Sequence, residues 1–348
     1  MEPVTHFLTG ACLGRAGFNR STALATATMA LAAEAPDLDI IGQFHGRVFG
    51  FAHHRGFTHS FLGLPIVCAV VVLFMYGIWR LRGRKTRSGT PPRWGLLFLY
   101  AYIAGLSHIL LDFTNNYGVR PFWPFWEKWY SWDIVFIVEP VLLVVLFAGL
   151  LVPEFFALIS DEIGGKRKRL KGRVGAVLAL VAVSAVWGIR DYEHRRAVAA
   201  LNSLTYEKAE ATRVSAYPYP VNPFRWYGVA ETQNFFAQTM VDTFATEVDP
   251  DGKMRIRYKP EETPVTLAAK KSELGRVYLD WAQYPITESE SIESPAGFVV
   301  SLRDLRYDYP ERAGAASLSA RVRLDSNLRV TGQMFGFRSR WGQPSDEK

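Results

Sequence analysis

Seven positions in the first third of the chain carry imidazole or carboxylate in patterns that suit a metal ion. They are His6; Asp37 and Asp39 in 36-PDLD-39; His54 and His59 in 53-HHRGFTHS-60; and His108 and Asp112 in 107-SHILLD-112. Imidazole nitrogen with carboxylate oxygen is the donor set of zinc and similar divalent ions. His108 and Asp112 are four apart, so a helix places both on one face. Asp37 and Asp39 are two apart and reach a common ion from an irregular turn. His54, or its neighbour His53, adds a loop contribution together with His59. More donors than one zinc needs means either two ions or one ion with further carboxylates orienting the histidines. Asp37 is also a candidate catalytic carboxylate, and Arg55, beside the histidines, is a candidate clamp for a phosphate or a contact for a lipid headgroup.

Each group also has a plainer reading. Asp112 could pair with an arginine such as Arg120. Thr58 and Ser60 suit the cap of the helix that follows, and PDLD suits an ordinary turn. Glu139 could be a helix carboxylate with a local hydrogen bond. Heme is another use of bundle histidines, but the aspartates fit it poorly.

The elements that must position these groups are apolar. A helix crosses a bilayer core with about 20 apolar residues. Four stretches approach this and predict helices over 59–79, 94–113, 134–156 and 174–190. Two shorter Ala- and Thr-rich segments within 4–35 predict a helical hairpin that dips into the membrane or packs in the bundle. The chain is 49% hydrophobic with a net charge of +7. Much of its basic character sits in two connectors, 80–93 (Arg80, Arg82, Arg84, Lys85, Arg87, Arg93) and 160–173 (Lys166 to Arg169, Lys171, Arg173). The positive-inside rule puts both in the cytoplasm, which also accounts for the charge without nucleic acid. The aromatic connector 117–133 then lies outside. The same alternation brings His6, Asp37, Asp39, His59, His108 and Asp112 to the outer face, and the C-terminal part outside with them. Polar groups flanking membrane segments are costly and tend to be functional. The two cysteines, Cys12 and Cys68, lie in apolar runs without metal-type spacing. The opening residues lack a basic n-region, so no cleavable signal peptide is expected.

From about residue 193 to 348 the pattern becomes β-rich. A Pro-rich entry, 217-YPYPVNPFRW-226, precedes expected strands at 241–248, 253–260, 276–284, 297–307, 317–325 and 327–337. The expected fold is thus an α-helical multi-pass membrane bundle over 1–192, carrying the metal site, with a C-terminal β-rich extramembrane domain over 193–348.

The motifs TH at 5–6, PDLD at 36–39, HRGFTHS at 54–60 and SHILLD at 107–112, followed by 121-PFWPFW-126, together resemble the YdjM-like family. The resemblance covers about residues 1–190, with 222-NPFRW-226 also similar. It implies a LexA-regulated bacterial inner-membrane protein and predicted metal-dependent hydrolase. The family pattern carries over onto His54 and His59, while His53 is an extra. The expected function is a membrane-bound metal-dependent hydrolase at the extracytoplasmic face. Its cofactor would be zinc, its partner membrane lipid, and its substrate a lipid or other phosphoester. The alternative is a non-enzymatic metal-binding scaffold or transport-related protein whose C-terminal domain binds a partner.

Overall fold

A computed structural model describes residues 1–86, 91–162, 172–293, 296–309 and 318–336. The basic runs around Arg87 and Lys166–Lys171 therefore lie outside the described residues. The chain divides into two compact units, the first formed by 1–39, 55–195 and 218–224, the second by 40–54, 196–217 and 225–348. The expected single boundary near 192 is thus interrupted twice.

The first unit is helical. Helix α1 (Pro3–Ala16) and helix α2 (Ala25–Glu34) form the expected hairpin. A Cβ at Gly10 would stand 2.4 Å from the Met29 carbonyl oxygen and 2.7 Å from Ala33 Cβ, and one at Gly14 would stand 2.6 Å from Thr26 Cα. Only glycine permits this approach. His6, Gly10 and Gly14 are spaced by four, so the pairing that needs the glycines also fixes where His6 points. A 3-10 segment (Ala35–His45) carries Asp37 and Asp39 away from α2.

Helix α4 (Leu64–Leu81), α5 (Trp94–Thr114), α6 (Pro140–Glu162) and α7 (Gly172–Asn202) follow, the intervening α3 (Arg47–His53) belonging to the second unit. Three of them, α4, α5 and α7, are long and apolar enough to cross a membrane, and Pro140–Phe156 of α6 forms a shorter apolar helix. Their outward faces carry Ile66, Val70, Leu73, Val144, Leu178 and Val181, all exposed, as lipid-facing surfaces require.

The helix starts differ from expectation for physical reasons. Residues 57–59 form a 3-10 turn, and the Ser60 hydroxyl accepts the Gly63 N–H (2.9 Å), so α4 begins only at Leu64. Ser60 thereby caps a turn, not the helix. Ile134 and Val135 both donate their N–H to the Thr114 carbonyl (3.0 Å each), which keeps 134–139 out of the helix until Pro140 opens α6. A proline fits the first turn of a helix, where its missing N–H costs nothing. Helix α7 runs past 190 because 196-RAVAALN-202 keeps helix-forming residues whose Ala197 and Leu201 are buried.

The second unit holds two antiparallel sheets. Strands β1 (Arg213–Pro218), β2 (Arg225–Glu231), β3 (Phe235–Asp242), β4 (Glu247–Val248) and β5 (Arg255–Tyr258) make one. Strands β6 (Pro285–Glu293), β7 (Ala296–Asp304), β8 (Ser319–Asp325) and β9 (Val330–Gly336) make the other, as a meander. The segment 276–284, expected as a strand, is mostly helix α9 (Glu273–Trp281), which follows α8 (Pro264–Lys271). Its buried Leu274, Tyr278 and Trp281 recur at helical spacing, and the Ser272 hydroxyl caps the start by accepting from the Gly275 N–H. Helix α3 (Arg47–His53) joins this unit because Phe51 stacks on Phe335 (3.9 Å between ring centroids) and meets Trp281 edge-on.

Candidate metal centre

Four donors meet in the helical unit. Asp37, His59, His108 and Asp112 each offer one atom, and the four atoms lie within 4.8 Å of one another. His59 Nε2 is 3.0 Å from His108 Nε2, 3.3 Å from Asp37 Oδ1 and 3.4 Å from Asp112 Oδ2. His108 Nε2 is 3.6 Å from Asp37 Oδ1 and 3.4 Å from Asp112 Oδ2. A tetrahedral site with metal–donor bonds of about 2.0–2.1 Å has donor–donor edges of about 3.3 Å. The measured separations scatter around that value.

The outer contacts aim the lone pairs at that point. His108 Nδ1 lies 2.6 Å from the Ala33 carbonyl oxygen. A carbonyl only accepts, so Nδ1 carries the hydrogen and Nε2 of the neutral ring presents a lone pair. His59 Nδ1 lies 3.0 Å from Thr58 Oγ1 and 3.4 Å from Asp39 Oδ2, and the carboxylate favours the hydrogen on Nδ1 there too. Two imidazole lone pairs and two carboxylate oxygens facing one point repel each other unless a cation sits among them. Without a metal, a proton takes that part. Burial pulls the His59 imidazole down, but Asp112, Asp37 and Asp39 more than reverse this, and its pKa is raised. For Asp37, burial works upward, yet the His59 hydrogen bond and the imidazoles of His108 and His6 hold the carboxyl well below its usual range.

Access is narrow. The side chains of His59, His108 and Asp112 are fully buried, whereas that of Asp37 is 15% exposed. Asp37 is the member of the four through which solvent reaches the cluster.

The other expected site residues take different places. Asp39 stands behind His59, and its Oδ2 also accepts the Arg55 backbone N–H (2.8 Å). His6 is fully buried and stacked on His108 (3.7 Å between centroids), with Nε2 3.4 Å from Asp112 Oδ1. Neither His6 nor Asp39 belongs to the group of four. His54 ends helix α3 in the second unit and is not in that group either. His53 is exposed there, stacked on Phe49.

Arg55 is turned inward. Its Nη2 donates to Asp112 Oδ1 (2.7 Å), its Nη1 to the Gly118 carbonyl (2.7 Å), and its guanidinium lies over the Tyr117 ring. The side chain is 4% exposed, and the backbone holds a left-handed φ of +54°, a strain typical of functional sites. Asp112 is thus held by Arg55, with further contacts from Asn115 Nδ2 (3.3 Å) and the Met1 amino group, and not by Arg120, which lies over Trp129. Sequence reasoning missed Asn115 and the Ala33 carbonyl; the i,i+3 spacing of Asp112 and Asn115 was the available signal for the first.

A family model described as YdjM inner membrane protein matches residues 1–197. No curated protein and no solved structure matches this chain.

Proposed function

We propose a function from one premise: this chain belongs to the YdjM inner membrane protein family. It acts as a membrane-bound metal-dependent hydrolase, with one divalent ion, zinc by donor type, held by Asp37, His59, His108 and Asp112. Such an ion supplies Lewis acidity and a water of lowered pKa. The chain's own residues do the rest. Asp39 and the Ala33 carbonyl hold the two imidazoles in the ligating tautomer. Arg55 and Asn115 orient Asp112 and leave its Oδ2 to the cluster. Asp37 presents a carboxylate at the exposed edge, where substrate and a transferred proton would be received. The inward turn of Arg55 makes it a positioning residue in this reading, not a clamp on substrate.

The observation that carries the reading is a purely nitrogen and oxygen donor set with one carboxylate reaching solvent. Structural zinc sites are typically closed and cysteine-rich, while Cys12 and Cys68 both pack in apolar clusters. The surface beside His59 supports an amphiphilic substrate class. Phe57, Phe61 and Leu62 are exposed, as are Phe122, Phe125 and Trp126 of the loop bound to them through the Phe61 N–H and the Pro121 carbonyl (2.9 Å). An apolar, aromatic rim suits an amphiphile, such as a phospholipid or another lipid-like phosphoester. The basic connectors of the sequence support a reading in which this face, and the β-rich unit, lie on the extracytoplasmic side.

Metal analysis of the detergent-purified full chain tests the site. His59→Ala and Asp112→Ala should each lose the bound metal; unchanged content in both would sink the reading. Hydrolysis of phosphoesters and lipids by the loaded protein then tests the activity. The near-complete burial of three donors favours a second reading, a structural metal in a scaffold, which metal retention with no turnover across the screen would support. A reporter fused after Lys348 tests the sidedness, and a cytoplasmic signal would overturn it.

A further inference from the structure

One polar side chain in this site remains unexplained. His6 is fully buried, and neither of its ring nitrogens has a hydrogen-bond partner. Buried polar groups are nearly always paired, and an orphan calls for a reason. The surroundings of His6 are specific. Its Nε2 is 3.4 Å from Asp112 Oδ1 and 3.9 Å from Asp37 Oδ2. These are the two carboxylate oxygens that the group of four leaves over, since His59 and His108 face Asp37 Oδ1 and Asp112 Oδ2. The same two carboxylates therefore show one oxygen to each of two donor sets.

We propose that His6 Nε2, Asp112 Oδ1 and Asp37 Oδ2 hold a second divalent cation, so that Asp37 and Asp112 bridge a pair of ions. The inference rests on the metal-centre reading above and deepens it. Three arguments support it. The donors are again imidazole and carboxylate, which suit the same class of ion. His6 has no hydrogen-bond partner, so its lone pair is available, while Arg55 Nη2 (2.7 Å), Asn115 Nδ2 (3.3 Å) and the Met1 amino group donate to Asp112 Oδ1 and would share that oxygen with the ion. Bridged pairs of ions are also a recurring solution for phosphoester hydrolysis, where they stabilise the attacking and the leaving oxygen together. The stacking of His6 on His108 fixes the imidazole between the two positions.

The test uses the full chain in detergent, loaded with Mn²⁺ and freed of excess ion. Two ions per chain are expected by mass spectrometry, with an exchange-coupled electron paramagnetic resonance spectrum, because bridging carboxylates couple the spins. His6→Gln should halve the metal content and leave the spectrum of an isolated ion. The wild-type measurement decides by itself even if the variant does not fold. One ion per chain in the wild type overturns the second position and leaves the first reading standing. Two uncoupled ions overturn the bridge. No bound ion at all overturns the first reading and this one together.

Discussion

Replacing Asp39 by Asn tests whether the centre is tuned from behind its ligands. Asp39 Oδ2 is 3.4 Å from His59 Nδ1, on the far side of the ring from the cluster. The substitution keeps the shape and keeps an oxygen able to accept the Arg55 N–H, but removes the charge. Two unit charges at 3.4 Å with an effective dielectric of about 20 interact by roughly 5 kcal/mol. A ligating imidazole gains only part of a charge, so about a third to a half of that is at stake. Loss of such an outer partner generally weakens metal affinity by about 10- to 100-fold, or about 1.4–2.7 kcal/mol; the two estimates agree. The assay is a chelator-competition titration of the detergent-purified protein, with the thermal midpoint of the metal-free form as a control for folding. Asp39→Asn should bind the ion 10- to 100-fold more weakly with a near-normal midpoint. Thr58→Val, which removes a neutral partner of the same nitrogen, should cost only a few-fold. An Asp39→Asn affinity within about threefold of wild type, or a Thr58→Val effect as large, would show that His59 is oriented by something else.

Other outcomes follow from the same geometry. Gly10→Ala puts a Cβ against the Met29 carbonyl and Ala33, so α2 must retreat by about an ångström; thermal stability should fall by about 1–3 kcal/mol, and metal affinity with it, since Ala33 holds His108. Gly77→Ala, with open space around it, should be neutral or slightly stabilising in the same melt. Glu139 and Arg190 form a buried pair (2.8 Å) that also binds the Val221 N–H and the Tyr219 carbonyl. Glu139→Ala should cost about 3–5 kcal/mol in thermal unfolding, and Glu139→Ala combined with Arg190→Met should recover most of it; an additive loss would show the pair is not coupled. A metal must displace the proton that the carboxylates draw onto His59, whose pKa is raised above 6.5. Metal affinity should therefore rise with pH by up to about tenfold per unit until His59 is neutral, then level off; a flat titration between pH 5 and 8 would contradict this.

The hydropathy pattern makes the helical bundle legible, and the four-residue spacing of His108 and Asp112 makes the core of the site legible, because both are local properties of one element. The partners were harder to read. Arg120 is much nearer to Asp112 in the sequence, and the pairing with Arg55 depends on a left-handed turn at Arg55 that the sequence does not announce. His54 and His59 sit in one short motif but part company, because Phe51 has an aromatic niche in the second unit that local pattern does not reveal. Glu139 reads as an isolated membrane carboxylate until Arg190, two helices' worth of sequence away, arrives beside it. The 276–284 segment reads as a strand from its aromatic and branched residues, while burial of one face favours the helix.

The segment 40–54 has a bearing on biosynthesis. All four donors of the centre have been synthesised once Asp112 is added, and the last apolar helix among the described residues is complete at Asn202. Yet Phe51, lying in sequence between Asp39 and His59, finds its stacking partner only in Phe335, close to the end of the chain. The bases of that excursion are joined early, by the Arg55 N–H on Asp39, so the ligands can assemble while the excursion itself waits. A chain stopped near residue 196 should accordingly keep its helices but be cut by protease within 40–54, and resistance there would mean that this segment has another shelter. Splitting the protein at its apparent domain boundary thus leaves neither half whole: one carries an orphaned helix, the other lacks it.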